Sequence, residues 1–135
     1  LKGKIADLAE VFEETQGIDD KIERFKMINE KVRAKNEAFI TKITSEVPTE
    51  MTSSFNIHRM HPLRGVKKVA SFGDHRIYFY DGKQVSQAYH MGIDLASYKM
   101  ADIVSQNGGT VAFAGDNGLY GNMLAISHGL GLYTI

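Results

Sequence analysis

The chain has 135 residues, enough for one domain with a core of its own. Its 16 lysines and arginines balance 16 aspartates and glutamates, which leaves no electrostatic footprint for nucleic acid or for an anionic membrane surface. Cysteine is absent, which excludes a disulfide frame and any cysteine-based metal site, and no apolar run approaches the roughly 18 residues of a membrane span.

The chain opens on Leu1, not on Met, and carries no signal peptide. A further N-terminal piece is therefore expected upstream, with any targeting segment on it. Residues 1 to about 47 are dense in charge and free of proline, and read as helix. Leu1, Ile5, Leu8 and Phe12 share one face of a short amphipathic helix. Gly17 ends it, and Asp19 or Asp20 caps the next. The second helix carries two heptad rows, Ile18, Phe25, Val32, Phe39 and Ile22, Asn29, Asn36, Ile43. Two asparagines in such a seam can fix register and partner number in a dimerising coiled coil. The plainer expectation is a helical hairpin packed on its own domain.

Pro48 stops the helix, and the polar stretch Thr49 to Ser54 reads as linker. From Phe55 the texture becomes glycine-rich, with short β-branched and aromatic runs. The expected strands are Val66–Phe72, Arg76–Tyr80, Thr110–Ala114, Met123–Ser127 and Leu132–Ile135. Turn signals at Asp81-Gly82, Asn107-Gly108-Gly109 and Asp116-Asn117-Gly118 separate them. Residues 96–105 are ambiguous, a loop with a strand at its end. The class is thus α+β: an N-terminal helical hairpin or coil over 1–48, a linker over 49–61, and a mainly antiparallel β domain over 62–135.

His90 and Asp94 carry the chemistry. Imidazole nitrogen and carboxylate oxygen are both zinc donors, and a turn with Gly92 between them can aim both at one point. By spacing alone, the plainer reading is an ordinary surface or core histidine bonded to a nearby carboxylate. Tyr78, Tyr80 and Tyr89 either line a groove or, more ordinarily, pack half-buried in strands.

The surrounding blocks are more specific. Ser71-Phe72-Gly73-Asp74-His75-Arg76-Ile77-Tyr78 is followed by His90-Met91-Gly92-Ile93-Asp94-Leu95-Ala96, then by Gly109 to Gly115, Tyr120 to Gly129, and Gly131 to Thr134. In that order they resemble the lysostaphin/LytM family of zinc peptidoglycan endopeptidases, over roughly residues 62 to 135. The resemblance implies a small antiparallel β domain of LytM-like type with a groove. It implies zinc as cofactor, held by His90 and Asp94, and peptidoglycan stem peptides as substrate. It also implies a third ligand and a catalytic histidine in an H-x-H motif, and a second catalytic histidine in a Tyr-x-His context. No H-x-H occurs here; the five histidines are His58, His61, His75, His90 and His128. The catalytic residues are therefore expected downstream of Ile135, which makes this chain a domain cut short at its C-terminal end and inactive alone. The C-terminal remainder, or a companion chain, would complete it.

His128 reads as structural, with a third-ligand role as its alternative. His58 and His61 read as surface residues of an approach loop, and His75 as orienting a turn. The resemblance further implies a cell-envelope or periplasmic protein, anchored in the membrane upstream of Leu1, whose helices form a stalk or dock a homo- or hetero-oligomeric partner. A different reading is a non-catalytic scaffold of the same fold that binds or activates a partner peptidase.

Overall fold

A computed structural model describes residues 11–46, 55–60 and 65–135. Leu1, Ile5 and Leu8 of the expected first helix lie outside these residues, as do Pro48, the stretch Thr49 to Ser54, and His61. Where the description begins, Phe12 is buried and the chain makes a 3-10 turn, Glu13–Thr15. Thr15 is buried and donates its hydroxyl to the Phe12 carbonyl at 2.7 Å. Gly17 then adopts a φ of 78°, a left-handed value that suits glycine and ends the turn.

Of the two candidate caps, Asp20 is the one used. One of its carboxylate oxygens accepts from the Ile22 and Glu23 amides at 2.7 and 2.9 Å, satisfying two orphan donors of the first turn. One helix follows. It begins as α1, Lys21–Lys26, widens into a π-helical segment, Met27–Val32, and resumes as α2, Arg33–Thr44. Its buried stripe is Phe25, Ile28, Asn29, Val32 and Asn36. Ile18 precedes the helix, and Ile22, Phe39 and Ile43 are only half-buried.

The two asparagines of the expected seam are directed at the β half of the same chain. Asn29 donates to the Ser86 hydroxyl at 2.8 Å and to the Gln87 carbonyl at 3.3 Å. Asn36 accepts from the Leu119 amide at 2.9 Å. Around them, Phe25 meets Tyr78 edge-on with centroids 4.9 Å apart, and Phe39 meets Phe113 in the same way at 4.8 Å. Phe12, Ile28 and Val32 form the central apolar cluster, with Leu119 packed on it. The helix therefore contacts two parts of the β half, one at Tyr78 and Ser86 and the other at Phe113 and Leu119, and its polar positions hold it in register with them. Among the described residues, no helix is long and apolar enough to cross a membrane.

The strands are antiparallel throughout. β1 (Lys67–Ala70) pairs with β4 (Asp94–Ala96), and between them lies the hairpin of β2 (His75–Tyr80) and β3 (Lys83–Tyr89). They form two two-stranded sheets, β1-β4 and β2-β3, that follow one another as a ribbon broken where β1 passes to β2 and β3 to β4. Asp81 and Gly82, with φ of 48° and 71°, turn the hairpin in two residues, as this dipeptide favours. A second unit, in the order β5-β6-β7, comprises Thr110–Asp116, Asn122–Gly129 and Leu132–Thr134. A 3-10 turn, Gly118–Tyr120, joins β5 to β6 and reaches the helix, where the Tyr120 hydroxyl donates to Glu37 at 2.9 Å. Partial burial, followed by that bond, pushes the Tyr120 phenol above its ordinary pKa.

Two strands escape the sequence pattern. β3 reads Lys-Gln-Val-Ser-Gln-Ala-Tyr, too polar to stand out; it extends because the Asp81-Gly82 turn folds it back on β2. β4 is three exposed residues. The expectation of a strand at the end of 96–105 is reversed, since β4 ends at Ala96 and the segment that follows is irregular. Away from the helix the ribbon exposes Val69, Ile77, Phe79, Tyr89, Ile93 and Leu95.

Candidate metal centre

The break in the ribbon positions His90. Ser71 and Asp74 close the turn after β1, the Ser71 amide donating to the Asp74 carboxylate at 2.8 Å, with Gly73 between them at a φ of 81°. Backbone bonds then stitch the turn to His90. The Gly73 amide donates to the His90 carbonyl at 2.7 Å, and the His90 amide donates to the Asp74 carbonyl at 2.9 Å. The histidine is thus fixed at the main chain on both sides.

Its ring is fixed as well. Nδ1 lies 2.7 Å from the Ser71 carbonyl oxygen. A carbonyl only accepts, so Nδ1 carries a hydrogen and Nε2 is the nitrogen left to bind. Nε2 points at Asp94 Oδ1, 3.0 Å away. The other carboxylate oxygen, Oδ2, lies 3.4 Å from Arg76 Nη2. The His90 side chain is 14% exposed and that of Asp94 51%, so the pair opens to solvent on the aspartate side.

An acceptor nitrogen facing a carboxylate oxygen at this range is repulsive unless something positive lies between them. A second ring proton can fill that role, and so can a metal ion. Donors at 2.0–2.2 Å from a tetrahedral zinc stand about 3.3–3.6 Å from each other, so the pair, at 3.0 Å, needs to open by only a few tenths of an ångström. The donor set fits zinc in kind and in separation. It supplies two ligands. Among the described residues, no group of three or more His, Cys, Asp or Glu side chains could hold a metal ion.

The other histidines are engaged elsewhere. His128 has Nδ1 2.6 Å from the Gly108 carbonyl and Nε2 against the Thr134 hydroxyl, tying the end of β6 to β7 and to the preceding loop. Both ring nitrogens are occupied, which favours the structural reading over a third ligand. His75 stacks on Tyr89, centroids 4.3 Å apart and planes 10° from parallel, and its Nε2 meets Gln87 at 3.1 Å. His58 is held by its backbone, its amide donating to the Asn107 side chain at 2.8 Å. Of the three tyrosines, Tyr78 packs half-buried against Phe25, whereas Tyr80 and Tyr89 are exposed. Gly92 is not required as expected: its φ is not left-handed, and a Cβ there meets nothing within 4 Å. The backbone bonds of His90 aim the pair instead. Sequence reasoning missed Ser71 and Arg76. The one available signal was a charged residue at position 76, in step with Tyr78 along an otherwise apolar strand.

Residues 88–135 match the family model described as peptidase family M23, consistent with a LytM-like domain. The matched segment contains His90, Asp94 and all strands from β4 onward. It supports a peptidase, and so a hydrolase, of a family whose members are generally metallopeptidases. No match was found among curated proteins or among solved structures.

Proposed function

We propose that this chain is part of a zinc-dependent endopeptidase that hydrolyses the peptide cross-links of peptidoglycan in the cell envelope. The observation that carries the reading is the convergence of His90 Nε2 and Asp94 Oδ1 inside the segment that matches a peptidase family. In this reading His90 and Asp94 hold the ion, and a third ligand and the catalytic histidines come from the remainder of the domain or from a companion chain. A zinc ion bound there supplies Lewis acidity toward an amide carbonyl and toward water. His90 contributes a neutral donor held in one tautomer by Ser71. Asp94 contributes a charge that offsets part of the ion's own. Tyr89 and Met91, the neighbours of His90 in the chain, are exposed and free to meet an extended peptide.

The test is digestion of purified peptidoglycan by the full-length protein, with separation of the released muropeptides. Cross-linked species should disappear. A chelator should stop the reaction and zinc restore it, and His90→Ala or Asp94→Ala should abolish it. If cross-links stay intact while a partner peptidase is accelerated, the non-catalytic scaffold takes the place of the enzyme.

A further inference from the structure

We infer that Arg76 is a positioning residue for the metal centre: it holds Asp94 Oδ2 and so presents Oδ1 alone to the ion. The inference rests on the zinc reading above. Arg76 lies on β2, paired with Ala88 of β3, while Asp94 opens β4 and pairs with Ala70 of β1. Their ion pair therefore crosses the break in the ribbon, from one ladder to the other. Along β2 the half-buried positions are Arg76 and Tyr78, with His75, Ile77 and Phe79 exposed, so Arg76 leaves the strand on the same side as Tyr78, which packs on Phe25.

A half-exposed pair at 3.4 Å contributes little to folding. Its consequence is geometric. An aspartate that is 51% exposed can swing toward solvent or exchange its two oxygens about the last side-chain bond. With Oδ2 taken by Arg76, neither motion is free. The carboxylate is held to one oxygen per partner, Oδ1 toward His90 Nε2 and Oδ2 toward Arg76 Nη2. A monodentate aspartate keeps a zinc ion at low coordination number and leaves a position open. His90 has the matching support, since the Ser71 carbonyl holds its Nδ1. Each donor thus has one outer partner that sets its orientation, the arrangement that metal sites use to tune affinity.

The experiment is a titration of the full-length protein with zinc chloride, followed by the NMR signals of the His90 ring. A parallel titration with cobalt(II) reads coordination number from the strength of visible absorption. Arg76→Gln should raise the zinc dissociation constant about 10–100-fold. It should also weaken the cobalt absorption, as Asp94 becomes free to bind through both oxygens. Arg76→Lys, which keeps the charge but not the fork, should fall between the two and guards against misfolding of the glutamine variant. The metal-free unfolding midpoint of either variant should stay near that of the parent chain. If His90→Ala and Asp94→Ala lose zinc while both Arg76 variants bind like the parent, the role of Arg76 is overturned and the zinc reading stands. Tighter binding by Arg76→Gln overturns it too, since the guanidinium would then be a competing cation. If His90 of the full-length parent protein shows no response to zinc, the zinc reading and the inference fall together.

Discussion

Replacing Asn36 by alanine separates a helix built to meet another helix from one built to hold strands. In a coiled-coil seam, removing a buried asparagine raises stability and loosens the choice of partner. Here Asn36 is 8% exposed, and its Oδ1 accepts the Leu119 amide at 2.9 Å. Its side chain also lies against Gly118, where a Cβ would come within 2.8 Å of Oδ1. Alanine removes the acceptor and leaves a half-buried N–H without its partner, a cost of about 1–3 kcal/mol. The better helix preference of alanine offsets roughly 0.5 kcal/mol of that. The net is a destabilisation of about 0.5–2.5 kcal/mol. With a urea m-value of roughly 1.5–2 kcal/mol/M for a chain of this size, the unfolding midpoint should fall by about 0.3–1.7 M at unchanged m. Sedimentation run alongside should give the same mass for both proteins. A midpoint that rises, or a mass that changes with the substitution, refutes the assignment of Asn36 to the β5–β6 connection.

Tyr120 makes stability sensitive to alkali: its pKa is raised in the folded state, so the contribution is complete below the unfolded value near 10.0 and is lost as pH climbs through the folded one. Thermal melts between pH 8 and 11 should show a fall that Tyr120→Phe flattens, and an unchanged slope in that variant would assign the effect to another group. Gly109→Ala should be costly although its φ is ordinary, because the new methyl would meet the Ser127 carbonyl oxygen at 2.5 Å and an Ile126 methyl at 2.6 Å. About 1–3 kcal/mol of overpacking is expected, read as a lower denaturant midpoint; a neutral result would mean that β5 and β6 stand further apart there.

Some of this protein was legible residue by residue, because its causes are local. The Asp81-Gly82 turn needs two positive φ values, and that dipeptide accepts them. Asp20 reaches amides two and three residues on and needs no distant help. His90 meets Asp94 four residues away, so the pair is visible in the spacing although Ser71, Gly73 and Asp74 aim it. The family blocks led to the same pair, and the matched segment contains it. What only the tertiary structure decided involves partners far along the chain. Asn29 and Asn36 have the spacing of a seam, and nothing within a turn of either reveals that their partners are Ser86 and Leu119, 57 and 83 residues away. β3 is a strand because it is paired, not because its side chains favour extension. Arg76 reaches Asp94 only once two ladders meet at a break, and His128 is occupied only once β7 lies beside β6. Local preference selects conformations one residue at a time. Which polar group satisfies which is settled by packing, when burial makes an unpaired donor or acceptor too costly to leave.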